Sequence, residues 1–405
     1  MRGIRIFSLW AGVWFLLASF VWAQDFERFK HEIIDSAWMH SGSFYLSSAF
    51  VVSNAGYNSN IFAYENAEEG DTTADVGLEL MAGAIFKDML IVQFKETPVY
   101  SYYVDNQDQR VMNNHLQLNV VYKVGRLGIL YRFDRPRLSS RPNTEFGARL
   151  QHLQKNHFVS VDLGRRDRFF INMYTEWRNV EYQAERYLGD FSVDELFGRK
   201  ENWYGFSLNR VSAARSRIAL NVEYFDVNFT GLPDRNKTGG QASATVAVDG
   251  AQGLTGSLQL GYRFVFPQSK EFKDYSRLFG IGNMEYRIAR RFRLRVQYLL
   301  DTRYSFFSTD LVYDESSVGL GLEFNFAPGV SLGYISRLGR RDYRSLSGLE
   351  VDRVDNYHFA TFTLTVAAFV HLELGLSYNI VRSDSNVERF DMRADSLGFF
   401  MRYEF

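Results

Sequence analysis

The residue types that most often carry chemistry are sparse in this chain, and their spacing does not suit it. Seven histidines are present: His31, His40, His115, His152, His157, His358 and His371. None stands in the H-x-x-x-H or H-E-x-x-H spacing that puts two imidazoles on one helical face to hold a metal. His152 and His157 lie five apart in a strand-like stretch and so point to opposite faces. There is no cysteine, which excludes thiolate nucleophiles, disulfides, cysteine–metal sites and a lipoprotein anchor. The G-x-S-x-G turn of a hydrolase nucleophile is absent, and Gly280-Ile281-Gly282 is a lone G-x-G inside a strand pattern. Asp162, Asp167 and Asp274 gain no partner from their spacing. No catalytic residue, metal site or cofactor is therefore expected. A Ser-His-Asp set assembled only in space would leave no spacing to read.

What recurs instead is charge in alternation with apolar side chains. Arg293 and Arg295 are interleaved with Phe292, Leu294 and Val296, and Glu373 with Leu372 and Leu374. Glu176 and Arg178 flank Trp177, Glu223 sits between Val222 and Tyr224, and Arg402 and Glu404 enclose Tyr403. With Glu79, these residues all fall on one side of a period-two pattern, and both signs are represented. The chemistry open to such a set is solvation and ion pairing along a water-filled interior. Glu79, Glu176, Arg178, Glu223, Arg293, Arg295, Glu373 and Arg402 are the residues expected to line it. A lumen cross-linked by ion pairs and closed by loops is the competing arrangement.

The elements that would position them are strands. Leu116, Leu118, Val120 and Tyr122 share a face opposite His115, Gln117, Asn119 and Lys123, with Val121 as an apolar exception on the polar side. Ile218, Leu220, Val222 and Tyr224 repeat the pattern, as do Phe292–Tyr298 and Val370–Tyr378. This is alternation of period two, not 3.6. Short turns are expected near 87–88, 125–126, 165–167, 213–215, 250–253, 289–291, 327–329 and 367–368. Long polar connections are expected at 58–72, 105–109, 139–143, 185–201, 230–239, 267–273, 305–311, 339–355 and 383–393. Eight short turns and nine long connections delimit 18 strands, an even number that puts both ends of the barrel on one side. Irregular patterns at 96–105 and 146–164 leave 16 open. Short turns at one end and long loops at the other fit a single closed antiparallel transmembrane β-barrel, an all-β fold.

Composition agrees. Aromatics make up 16% of the chain, with 24 Tyr and 36 Phe, more than a soluble core needs but suited to two interfacial girdles. Mean hydropathy is −0.24, too polar for a helical membrane protein and expected where every second strand residue meets water. A net charge of −1 gives no reason to expect nucleic-acid binding. At the N-terminus, Arg2 and Arg5 precede an uncharged run from Ile6 to Trp22, and Val21-Trp22-Ala23 offers a cleavage site. Residues 1–23 thus read as a signal peptide. Residues 24–42 read as a periplasmic segment, with Phe26, Phe29, Ile33, Ile34, Ala37 and Trp38 at roughly helical spacing, a short helix, a plug or a disordered lead-in. Residues 43–405 read as the barrel. The last strand places Phe405, Tyr403, Met401, Phe399 and Leu397 on one greasy face. Phe405, Tyr403 and Met401 are the expected C-terminal signal for the barrel-assembly machinery, with outer-membrane lipid as the other partner.

Three stretches carry a resemblance. Phe44–Phe50 leads into Gly56-Tyr57-Asn58-Ser59-Asn60-Ile61-Phe62, which looks like a G-Y-x-x-N-I/V-F strand entry. Gly253–Arg263 is similar to an L-x-G-x-x-x-x-G-Y hairpin, followed by strands such as Gly280–Tyr286 and Phe292–Tyr298. Asn179-Val180-Glu181-Tyr182 resembles an x-D-Y strand end, with Glu181 where the pattern has Asp. Together they resemble a family of bacterial outer-membrane β-barrel porins encoded with exopolysaccharide synthesis and exosortase-type systems, the β-barrel porin 2 type. The resemblance implies an outer-membrane conduit for secreted exopolysaccharide, with a polysaccharide chain and a periplasmic polysaccharide-export protein as partners. It transfers no functional residue. A general or substrate-specific diffusion porin is the alternative, and a barrel enzyme or a loop-based adhesin or receptor is a third class.

Overall fold

A computed structural model describes residues 25–61, 69–140, 150–165, 167–182, 187–188, 191–212, 216–251, 253–270, 272–289, 291–304, 312–343, 353–387 and 390–405. The expected signal peptide lies outside them. Eighteen long strands follow one another around the sheet: β1 (Phe44–Asn58), β2 (Asp71–Phe86), β3 (Leu90–Tyr103), β4 (Val111–Val124), β5 (Leu127–Ser140), β6 (Leu150–Arg165), β7 (Phe169–Tyr182), β8 (Arg199–Val211), β9 (Ser216–Phe229), β10 (Lys237–Ala251), β11 (Leu254–Pro267), β12 (Tyr275–Ala289), β13 (Phe292–Tyr304), β14 (Val312–Ala327), β15 (Val330–Tyr343), β16 (Arg353–Phe369), β17 (Leu372–Ser385) and β18 (Met392–Glu404). Each pairs antiparallel with its chain neighbours. β18 closes on β1 through Ala49↔Glu404, Phe50↔Tyr403 and Tyr57↔Leu397. The sheet has no free edge, so every strand finds its ladder partners within the barrel.

The alternation sets the faces. Ile218, Leu220, Val222 and Tyr224 of β9 are exposed on the outside, while Ala219, Asn221, Glu223, Phe225 and Val227 between them are buried on the inside. Leu397, Phe399, Tyr403 and Phe405 are likewise exposed at the C-terminus.

Loop positions depart from expectation in instructive ways. β6 is regular from Leu150 to Arg165, which removes the 16-strand count. The turn expected at 367–368 falls three residues later. β16 runs to Phe369, with a register shift between Ala367 and Phe369, and Val370 is 91% exposed in the turn instead of starting a strand. Strands also run further into the long connections than polarity suggested: β1 extends to Asn58, and β15 and β16 enter the 339–355 stretch. Arg341, Arg353 and Asp355 there are strand residues of the inner face and not loop.

Helix α1 (Asp25–Ser36) precedes the barrel. Its Phe26, Phe29 and Ile33 are buried against Met81, Ile85, Ile91, Val121, Leu130 and Phe158, all inward-facing residues of β2–β6 near the short-turn end. This accounts for Val121: the wall is apolar where the helix lies on it. Gly83 makes the close approach, since a Cβ there would sit 2.7 Å from Ile33.

Candidate functional site

The inner wall brings charged residues together, and it is built from cross-strand networks. On β7–β8, Arg178 donates to Glu176 (2.8 Å) and Glu201 (3.1 Å), and Arg199 donates to Glu201 (2.6 Å). The Glu201 side chain is 2% exposed, and Trp203 Nε1 adds a longer contact at 3.4 Å. A buried carboxylate needs partners of this kind, because its desolvation is otherwise uncompensated.

The network continues around the barrel. Glu223 on β9 accepts from the Tyr174 hydroxyl of β7 and from Gln241 of β10. Tyr174 reaches it by lying flat across β8, where Gly205 leaves room; a Cβ would come within 2.1 Å of the ring. Arg263 of β11 donates to Gln241 (2.7 Å) and to Asp301 of β13 (2.8 Å). On β14, Glu315 is paired with Arg303 of β13 (2.8 Å) and accepts from the Tyr357 hydroxyl of β16 (2.5 Å). Tyr357 crosses β15 over Gly339, where a Cβ would lie 2.2 Å from its ring. Arg341 stacks over Tyr357 at 4.1 Å from the ring centroid, and Arg353 over Tyr343 at 4.3 Å. Two glycines on inward positions thus let aromatic side chains lie along the wall instead of projecting into the lumen.

The residues singled out from the sequence fall as follows. Glu176, Arg178 and Glu223 belong to the β7–β10 network just described. Arg293 pairs with Glu285 (3.2 Å) and Glu323 (3.0 Å), and Arg295 with Glu285 (2.8 Å). Arg402 pairs with Glu79 (2.9 Å) and with Glu404, tying β18 to β2 across the small Ala49 of β1. Glu373 stands opposite Arg402 in the β17–β18 register. These residues form three groups, centred on Glu201–Glu223, on Glu285 and on Arg402, and not one site. At the terminus, Phe405 meets Tyr403 edge-on at 5.3 Å and its backbone N–H bonds Ser48 O at 3.1 Å.

Sequence reasoning missed Glu201, Arg263, Asp301, Glu315, Arg341, Arg353 and Asp355. Glu201, Arg341, Arg353 and Asp355 lay in stretches assigned to long loops; extending the strand parity by one to three residues would have placed them inward.

Both mouths carry inward-folded structure. α1 occupies the short-turn end, where Lys30 donates to Asp88 (2.6 Å), Lys95 to Glu32 (2.5 Å) and Lys123 to Glu27 (3.3 Å). The Asp88 hydrogen bond holds the Lys30 ammonium above its usual pKa. At the other end the β7–β8 connection forms helix α2 (Val193–Phe197), started by a capping box between Ser192 and Glu195. Its Val193, Leu196 and Phe197 pack with Leu150, Tyr182 and Leu232. Leu150 and Tyr182 are inward residues of β6 and β7. Arg235, from the β9–β10 connection, donates to Leu196 O at 3.2 Å and ties the two connections together.

No protein-family model matches the chain, and no curated protein matches it in sequence. Solved structures do match in fold. OccK2 (OpdF) of Pseudomonas aeruginosa, crystallised with glucuronate, aligns with a TM-score of 0.52 at 12% identity, covering 89% of this chain and 97% of that one. A BenF-like porin of Pseudomonas fluorescens Pf-5 gives 0.52 at 11%, covering 89% and 98%. OpdK of Pseudomonas aeruginosa gives 0.50 at 11%, again covering 89% and 98%. The chain has an 18-strand porin fold. Coverage of nearly the whole of each porin means the porin barrel is matched from end to end. What is shared at this identity is the fold; the exopolysaccharide association of the resembled family is not part of it.

Proposed function

We propose that the protein is a passive, substrate-selective conduit in a bacterial outer membrane, and that its cargo is a secreted exopolysaccharide. The observation that carries the conduit reading is the closed porin barrel whose inner wall is lined by charged residues held in cross-strand networks. A barrel of this strand number encloses an aqueous interior, whereas eight strands are filled by side chains. The cargo reading is supported by the sequence resemblance and by the wall chemistry. Arginine, tyrosine and carboxylate groups arranged along an interior offer hydrogen bonds to hydroxyls and apolar ring faces for sugar stacking.

A second reading is a diffusion porin for small acidic solutes. The inward α2 favours it, because a folded-in connection narrows the mouth, and OccK2 in the same fold holds glucuronate. Planar-bilayer recordings of the purified protein separate the readings. A conduit shows stepwise conductance. Polysaccharide export predicts current block by long uronate or neutral oligosaccharides in preference to monosaccharides, together with loss of secreted polysaccharide in a deletion strain. Block by monosaccharide acids alone, with secretion intact, selects the diffusion porin. Absence of conductance in both the native protein and a variant lacking residues 25–36 refutes the conduit.

A further inference from the structure

We infer that the outer face of β4–β7 holds a binding site for the phosphoryl groups of a membrane glycolipid, centred on Arg135 and Arg137. The inference rests on the proposed outer-membrane location and is independent of whether the lumen conducts.

Arg135 and Arg137 belong to β5, whose outward residues are Ile129, Tyr131 and Phe133, followed by these two arginines. Both are exposed, with buried Pro136 between them facing the interior. Alternation therefore directs two guanidinium groups, two residues apart, to the side that Tyr131 and Phe133 present to lipid. Their level is marked by an aromatic row. Phe133 pairs with His157, and His157 with Trp177, so three rings stand side by side on β5, β6 and β7. His157 Nδ1 is 3.1 Å from the Tyr131 hydroxyl, and Trp177 is exposed. Such a row marks the edge of the hydrocarbon. One step further toward the long connections stands a row of Arg135, Lys155 and Asn179. The register pairs Asp134↔Asn156 and Arg137↔Leu153 place Lys155 beside Arg135.

The nearby carboxylates are engaged elsewhere. Glu181 is held by Lys155 (2.9 Å) and Asn179 (2.6 Å). Glu96 accepts from Asn114 (3.0 Å) and is separated from Arg135 by Leu116, which pairs with both. At the corresponding end of other strands, Arg340 is matched by Asp342 and Arg382 by Asp395, at 2.8 and 2.7 Å. Arg135 and Arg137 have no such partner among the described residues. Guanidinium groups left open at the headgroup level, above an aromatic row, fit phosphoryl oxygens, which they can bind bidentately. The longest connections fall at this end, so the leaflet concerned is the outer one.

The test uses the folded full barrel in detergent, with bisphosphorylated hexa-acyl lipid A, its monophosphoryl form and inorganic phosphate as probes in native mass spectrometry. Lipid A should remain bound, more tightly with two phosphates than with one. R135Q/R137Q should weaken it roughly fivefold per cation, about 25-fold for the pair. R340Q, eight strands away around the closed barrel, should leave it unchanged. Equal binding of bisphosphoryl and monophosphoryl lipid A by the native protein overturns the phosphoryl site, and this comparison does not depend on a variant folding. So does retention by a folded R135Q/R137Q. If inorganic phosphate displaces lipid A at equal concentration, the site takes free phosphate and the glycolipid source is refuted.

Discussion

Undocking of α1 should be governed by its apolar face and not by its ion pairs. Phe26, Phe29 and Ile33 are 2%, 3% and 0% exposed against the inner wall. Truncating a buried Phe costs about 3–5 kcal/mol and a buried Ile about 2–5 kcal/mol. The three ion pairs are all partly exposed, with Asp88 at 71% and Glu27 at 58%, and pairs of this kind contribute about 0–1 kcal/mol each. The double variant Phe29→Ala/Ile33→Ala therefore removes more binding than the loss of all three ion pairs. The chain has no cysteine, so a single spin label at His31→Cys, on the exposed side of the helix, reports docking without background. The label should stay immobile in 1 M salt, become mobile in the double variant, and leave the heat-modifiable barrel band intact. The pH dependence follows the Lys30 shift. A pKa raised in the docked state gives a contribution that is complete below the ordinary lysine value of 10.5 and fades as the pH climbs past it. Docking should thus show no loss between neutral pH and about pH 10 from this group. A label freed by salt alone, or held fast in Phe29→Ala/Ile33→Ala, would falsify the argument that burial dominates.

Glu201→Gln should destabilise the barrel by about 3 kcal/mol, the low end for breaking a buried ion pair, because Arg178 keeps Glu176 at 2.8 Å; a urea titration of the heat-modifiable band reads it, and a change under about 1 kcal/mol would mean the site is hydrated. Arg293→Gln/Arg295→Gln removes two inward cations from Glu285 and Glu323. Folding should survive, since all four groups are partly exposed, and reversal potentials should shift toward cation selectivity; unchanged selectivity would place the ion path elsewhere. Phe405→Asp should lower the amount of folded protein in outer-membrane fractions while barely altering the stability of what does fold. A charge near the interface costs only about 0–1 kcal/mol, so assembly is the step expected to suffer. Equal steady-state levels of the folded form would argue against a C-terminal assembly signal.

The chain by itself determined the strands and their faces. Alternation such as Ile218-x-Leu220-x-Val222-x-Tyr224 is a local property of the pleat, and a lipid exterior with a wet interior turns it into a statement about direction. The strand count was legible too, because eight turns compress into a few residues while the opposite connections do not. Other features depended on the closed barrel. Strand ends within the long connections were misjudged, since polar residues such as Glu201, Arg341 and Asp355 are acceptable in a loop and on an inner wall alike. Only the register of the neighbouring strands decides between them. Val121 was an anomaly of the pattern until α1 lay over it; the reason is a contact about 90 residues away in sequence. The networks through Tyr174 and Tyr357 need Gly205 and Gly339 on the intervening strand, a condition that no spacing within one strand encodes. Arg135 and Arg137 were part of the same alternation, but that no carboxylate among the described residues pairs with them is a property of the neighbouring strands, and it appears only when those strands are placed side by side.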